Sequence, residues 1–139
     1  MTVGDDSPLP HEEALVRAFM RPDRRPRYLE LLRTPERRRK LRARLAHMRD
    51  LDPRYAQRIP DSDQNADAIQ RLLNRKGAPM NCFVISGLPA LDGQAMPLGL
   101  ALEEIVGSGM GSLVSCIPGR LGYYESEDVG ERYVLYRTV

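Results

Sequence analysis

The stretch Cys82-Phe83-Val84-Ile85-Ser86-Gly87 decides the fold class, because the hydrophobic pattern of the chain changes there. Four consecutive apolar residues followed by Ser-Gly are typical of a buried strand that ends in a turn. Before this stretch, apolar residues recur at the spacing of amphipathic helices, and after it short apolar runs alternate with turns. The sequence therefore predicts an α+β protein whose first half is helical and whose second half forms a sheet.

Downstream of this stretch, the pattern predicts one helix and three further strands. The helix begins at Pro97 and ends near Gly107, with apolar residues on one side and acidic residues on the other. The strands are expected at residues 112–117, 121–125 and 132–138. Short polar turns join these strands, which is typical of an antiparallel meander. The predicted order is β-α-β-β-β, a small mixed, mostly antiparallel sheet with a helix across one face.

Upstream, prolines, capping residues and apolar spacing predict about four helices. Thr34-Pro35-Glu36 is the clearest start, since it places an N-cap, a proline and an acid in consecutive positions. Asp52-Pro53 repeats the pattern and predicts a short turn of helix through Ala56. The main helices are expected at residues 11–20, 26–33, 34–48 and 63–75. Residues 1–77 should thus form a basic all-helical segment and residues 78–139 a small α/β segment, packed together as one compact domain.

Charge is distributed unevenly along the chain of 139 residues, although its net value is only +2. Residues 17–58 contain fifteen Lys and Arg against five Asp and Glu, whereas residues 77–139 contain three against seven. A block of one sign affects association rather than fold. The sequence therefore predicts an anionic partner for the first half. A homo-oligomer, in which the basic half of one copy meets the acidic half of another, is an open alternative.

The segment 34–49, TPERRRKLRARLAHMR, is the strongest functional feature. On a helix, Leu41, Leu45 and Met48 form an apolar stripe with cations along both margins. Arginine binds phosphate through paired hydrogen bonds, and each phosphate contact releases counterions. The segment therefore predicts binding of an anionic macromolecule, either a nucleic acid or an acidic protein. The candidate anion-binding residues are Arg37, Arg38, Lys40, Arg42, Arg44 and Arg49.

Two alternatives to this interpretation stay open. In the first, the leucine stripe packs on other helices while the arginine head groups are simply solvated. In the second, the protein is a small enzyme with a pocket between the halves that uses Cys116 or Asp92 with Arg120. A nearby cation lowers the pKa of a thiol, but three residues separate Cys116 from Arg120, not the five of cysteine phosphatases. A non-enzymatic accessory or regulatory protein of bacterial type is therefore the leading hypothesis.

Two other features of the sequence bear on whether the protein binds a nucleotide, a metal or a cofactor. The glycine-rich segment 107–112 runs from a helix into a strand, the reverse of a phosphate-binding loop, so a plain connection is predicted. Two His and two Cys lack ligand spacing, so neither a metal nor a cofactor is expected.

The sequence also bears on where the protein resides. No apolar run approaches the roughly 20 residues of a membrane-spanning helix. The first thirteen residues carry four acids and no Lys or Arg, unlike a signal peptide. Cys82 and Cys116 lie in apolar runs, as expected of reduced thiols, which favours a cytoplasmic location.

Overall fold

The computed structural model describes residues 8–138, which form five α-helices and six strands. The helices are α1 (Pro8–Phe19), α2 (Arg25–Leu31), α3 (Pro35–Leu45), α4 (Ala66–Arg75) and α5 (Leu98–Ile105). The strands are β1 (Ala56–Arg58), β2 (Asn81–Ser86), β3 (Ala95–Pro97), β4 (Ser112–Ile117), β5 (Leu121–Glu125) and β6 (Arg132–Tyr136). The predicted α+β class is confirmed. Asp5 and Asp6, two of the four acids that make the first thirteen residues unlike a signal peptide, lie outside the described residues.

The six strands form one sheet in the order β1-β6-β5-β4-β2-β3. The four strands predicted from the sequence are its centre, and two three-residue strands that the sequence analysis missed are its edges. A mixed, mostly antiparallel sheet was expected, and each of the observed pairings is antiparallel. The long apolar runs of the central strands follow from their position, because helices cover both faces.

Alternate residues of the central strands face opposite hydrophobic clusters. Ile85 of β2 packs with the helices α1, α2 and α3, whereas its neighbour Val84 packs with α4 and α5. The same alternation separates Leu113 from Val114 on β4. The molecule therefore has three layers, and the basic helices α1 to α3 cover one face of the sheet.

The segment after Asp52-Pro53 differs from the sequence prediction. A turn of helix was expected through Ala56, but this residue begins β1 and lies opposite Leu135 of β6. The Asp52 carboxylate does accept the Arg54 N–H, at 3.1 Å, as a capping residue would. Strand β6, however, offers unpaired backbone groups along its edge, and a single isolated turn of helix is unstable. Residues 1–77 are thus not all-helical, since they supply one edge strand.

Helix α3 begins as the sequence predicts and is seated closely on the sheet. The Thr34 hydroxyl accepts the Arg37 N–H at 3.1 Å, which caps the first turn. At the other end, a Cβ added to Gly111 would lie 2.1 Å from the carbonyl carbon of Leu45. Only glycine therefore allows the loop before β4 to pass this close to the helix.

Candidate functional site

Helix α3 carries six cations in eleven residues, and the fold divides them between two faces. Leu41 and Leu45 are fully buried and orient the helix on the layers beneath it. Since adjacent positions are about 100° apart around a helix, some arginines must point inward beside these leucines and others must point to solvent. The predicted anion-binding residues consequently fall into separate groups.

Arg38 points into the protein. Its guanidinium donates to both carboxylate oxygens of Glu12, at 2.7 and 2.6 Å, and to both of Asp92, at 2.7 and 3.0 Å. The side chains of Arg38, Glu12 and Asp92 are 18%, 3% and 10% exposed. Burial by itself lowers the pKa of Arg38, but the hydrogen bonds to Glu12 and Asp92 raise it above its usual value. The guanidinium therefore stays charged between two carboxylates.

Arg42 completes this cluster. Its Nε donates to the backbone oxygen of Ser86 at 3.1 Å and lies 3.8 Å from the Asp92 carboxylate. Asp92 also accepts the Ser86 N–H at 3.0 Å, so the loop after β2 is fixed to the end of that strand. Arg38, Arg42 and Asp92 are thus engaged with internal partners. A ligand at any of them would have to displace one of these contacts.

Arg49, beyond the end of α3, lies beside the acidic turn 126–131. It is 3.7 Å from Asp128 and 3.5 Å from Glu131, and its side chain is exposed. The neighbouring His47 lies 2.8 Å from Glu127 in the same turn. Exposed ion pairs of this kind contribute little to stability. They nevertheless reduce the positive charge that Arg49 presents to an external anion.

The remaining cations of α3 form what we name the outer cation face: Arg37, Arg39, Lys40 and Arg44. All four are exposed, and no carboxylate of residues 8–138 lies within 4.0 Å of them. Arg44 does lie beside the Tyr28 hydroxyl, which donates to Asp50. From Arg37 to Arg44 the face spans about 10 Å along the helix. Its charge is therefore concentrated and directed to solvent.

Arg39 was not among the predicted anion-binding residues. Arg38 and Arg42 were predicted as anion-binding residues on one margin of the leucine stripe, with Arg37, Lys40 and Arg44 on the other. A helical projection shows two margins of the leucine stripe, but it does not show which margin meets carboxylates. The partners Glu12 and Asp92 are distant in the sequence, so only the packing of α1 and the loop after β2 identifies the inward margin. Arg39 lies far from the stripe, and its exposure could have been read from the same projection.

The residues of the enzyme hypothesis are not brought together. The Cys116 side chain is buried in the cluster beneath α4 and α5, whereas Asp92 contacts Arg38 on the opposite face of the sheet. Arg120 is exposed in the turn between β4 and β5. Burial raises the pKa of the Cys82 thiol to about 12 and that of Cys116 further, with a contribution from the neighbouring Cys82. This is the reverse of what thiol catalysis requires.

A cavity of about 180 Å³ does lie between the N-terminal helices and the last strands. It contains none of the three residues that the enzyme hypothesis names. Its lining residues are Met48, Arg49, Leu51, Pro53, Ala56, Tyr124, Ser126, Glu131 and Tyr133. The wall of this cavity is therefore mainly apolar and aromatic, with Arg49, Ser126 and Glu131 as its polar residues, and it does not include Cys116, Asp92 or Arg120.

The glycine-rich segment 107–112 serves as a connection. The Gly107 N–H donates to Glu125 Oε2 at 2.9 Å, and the same buried carboxylate accepts from Tyr123 and Arg132. In the described part of the chain, no group of three or more His, Cys, Asp or Glu is placed to hold a metal ion. None of the described helices has the length and apolar character needed to span a bilayer.

Comparisons with known proteins found no relative of this chain. The chain matches no protein-family profile, no curated protein and no solved structure. The function must therefore be inferred from the geometry and charge of the chain itself.

Proposed function

We propose that this protein binds the phosphate backbone of a nucleic acid through the outer cation face of α3. One observation carries the proposal. The inward arginines of the helix are paired with buried carboxylates, whereas Arg37, Arg39, Lys40 and Arg44 are exposed and have no carboxylate within 4.0 Å among residues 8–138. The cations of one helix thus fall into an inward set with internal partners and an outward set that is accessible to an external anion.

The chemistry of the face suits phosphate groups. Three of its four cations are arginines, whose planar fork matches two phosphate oxygens. No carboxylate within the described residues holds these side chains, and only Arg44 lies beside another polar group, the Tyr28 hydroxyl, so they can follow an extended backbone. Contacts to phosphate carry no base information, so we expect similar affinity for different sequences. The protein would then act as an accessory or regulatory factor without strong sequence preference.

A cytoplasmic location fits this proposal. Cys82 and Cys116 are both free and buried, which accords with a reducing compartment where nucleic acid is present. The acidic turn 126–131 lies at the C-terminal end of α3 and would repel phosphate there. We therefore expect the nucleic acid to contact the part of α3 from Arg37 to Arg44.

The test is binding of labelled single- and double-stranded DNA and RNA, measured by fluorescence anisotropy across a salt series. Four phosphate contacts predict a slope of log affinity against log salt of about −3. The variant is Arg37→Gln/Arg44→Gln, and the matched control is Arg71→Gln/Arg75→Gln, which removes two exposed cations of α4 and the same net charge. The first variant should lose about half of that slope, and the control should bind like the wild type.

Three results would contradict the proposal. The first is no binding at low salt, and the second is an equal loss in both variants, which would indicate a general charge effect. The third is tighter binding of an acidic polypeptide than of any nucleic acid, which would make the partner a protein. Salt-dependent self-association in sedimentation, lost in the same variant, would instead support a homo-oligomer. Arg38→Ala/Arg42→Ala is unsuitable here, because it disrupts the internal cluster with Glu12 and Asp92.

A further inference from the structure

A second group of arginines lines a groove on the other side of α1. Arg17 comes from α1, Arg25 from α2, Arg120 from the turn between β4 and β5, and Arg137 from the residues after β6. We name this the four-arginine groove; its volume is about 450 Å³. The other lining residues are three small ones and a proline: Ala14, Ala18, Gly119 and Pro118.

Two of these arginines are held in position by backbone oxygens. Arg25 Nε donates to the Met20 carbonyl at 3.0 Å, and Arg137 Nη1 donates to the Ala18 carbonyl at 3.0 Å. The Arg137 guanidinium also lies 4.5 Å from the centre of the Tyr55 ring. A guanidinium has five N–H donors, so both side chains are fixed while most of their donors stay available. This arrangement is preorganised, which lowers the entropy cost of binding.

None of the four arginines forms an ion pair with a carboxylate in the described part of the chain. No carboxylate of residues 8–138 lies within 4.0 Å of the four arginines. The hydrogen bond from Arg54 lowers the pKa of Asp52 most, and Arg25 adds a smaller electrostatic effect, so Arg54 is the main partner of that acid. Like charges in one groove repel each other, and an anion that enters it relieves this repulsion.

Capping of the C-terminal end of α1 explains only two of the four arginines in the groove. Arg137 contacts the Ala18 carbonyl in the last turn of α1, and Arg25 contacts the Met20 carbonyl just after it, where a cation is favourable. Arg17 and Arg120, by contrast, line the same groove without a side-chain hydrogen bond or ion pair to the described residues. Helix packing does not require either of them to be charged. Both guanidinium groups are therefore available to an external anion.

We propose that the four-arginine groove binds a compact, multiply charged phosphate ligand, either pyrophosphate or the phosphate chain of a nucleotide. The groove is open to solvent, and its volume of about 450 Å³ is sufficient for a ligand of this size. Small lining residues leave room for several oxygens between the guanidinium groups. The site is separate from the outer cation face, because Glu12 of α1 faces Arg38 while Ala14, Arg17 and Ala18 face the groove.

The test is titration calorimetry with pyrophosphate, inorganic phosphate and a nucleoside triphosphate. The variant is Arg17→Gln/Arg120→Gln, which keeps the capping arginines, and circular dichroism checks that it is folded. Pyrophosphate should bind saturably to the wild type and about tenfold or more weakly to this variant. The variants Arg71→Gln/Arg75→Gln and Arg37→Gln/Arg44→Gln should keep wild-type affinity. Tighter binding of the nucleoside triphosphate than of pyrophosphate would identify a nucleotide, and equal binding would identify the phosphate chain alone as the ligand.

The proposal is overturned if pyrophosphate shows no saturable binding at low salt, or if all three variants lose affinity equally. It is also overturned if the groove variant loses nucleic-acid binding while pyrophosphate does not bind to the wild type. These results are independent of those for the outer cation face, whose variant and ligand differ. Failure of one proposal therefore leaves the other intact.

Discussion

The guanidinium of Arg38 joins two carboxylates that come from different layers of the fold, Glu12 of α1 and Asp92 of the loop after β2. Each carboxylate accepts two hydrogen bonds from Arg38, so four of the five N–H donors of the guanidinium are used. This contact connects the basic helices to the sheet at a site that is nearly closed to solvent. The most basic helix of the protein thus contributes to the fold through its inward face and offers only its outer face to a partner.

We expect Arg38→Met to destabilise the protein by about 3 to 5 kcal/mol, because it leaves Glu12 and Asp92 buried without their counter-charge. Arg37→Met, one position away on the exposed side, should change the free energy of unfolding by less than about 0.5 kcal/mol. Urea denaturation followed by circular dichroism measures both. An equal small loss in the two variants would show that the internal cluster has no structural role.

The same denaturation experiment addresses the expectation of one compact domain. Strand β1 belongs to residues 1–77 and pairs with β6 of residues 78–139, so the two segments share a sheet. We expect tyrosine fluorescence and circular dichroism to report one coincident transition. Two separated transitions would indicate that the segments unfold independently.

Gly111→Ala should be strongly destabilising. An added methyl group would lie 2.1 Å from the carbonyl carbon of Leu45 and 2.2 Å from the backbone nitrogen of Ala46, neither of which can rotate away. Overpacking of this kind costs about 1 to 3 kcal/mol or more. The control is Gly99→Ala in α5, where the methyl group meets only the end of the Gln70 side chain and helix propensity favours alanine. If Gly111→Ala is as stable as this control, α3 does not lie as close to the loop as described.

Both cysteines should react slowly in the folded protein. Burial raises the pKa of Cys82 to about 12 and raises that of Cys116 further, so almost no thiolate exists near neutral pH. Labelling with an alkylating reagent, quantified by mass spectrometry, should be slow for both residues and become fast after unfolding. Rapid labelling of Cys116 alone in the folded state would revive the thiol-enzyme hypothesis.

Asp52 should contribute to the dependence of stability on pH. The hydrogen bond from Arg54 lowers the pKa of Asp52 below its usual value of 3.8, in spite of burial. A carboxyl whose pKa is lower when folded stabilises the protein above its unfolded pKa and loses this effect as pH falls through the folded value. The stability difference between wild type and Asp52→Asn should therefore be constant above about pH 5 and shrink in acid. A difference that does not change with pH would contradict the assigned ion pair.

Local pattern alone was sufficient for much of the fold. The apolar run at Cys82–Ile85 and the short runs after it identified the four central strands, because a strand buried on both faces must be apolar at nearly every position. Thr34-Pro35 likewise identified the start of α3, since capping depends on neighbouring residues. In contrast, β1 and β3 are too short to show a period, and they are strands only because β6 and β2 offer unpaired edges.

For the candidate sites, the sequence by itself determined that α3 is basic and amphipathic, because charge and helical spacing are local properties. Only the tertiary structure decided which cations of α3 have a carboxylate partner among residues 8–138, because Arg38 and Arg42 meet carboxylates from distant parts of the chain. It also decided that Arg17, Arg25, Arg120 and Arg137 line one groove, two of them from the acidic half. A hydrogen bond or a charged groove depends on distance in space, and separation along the chain does not specify that distance.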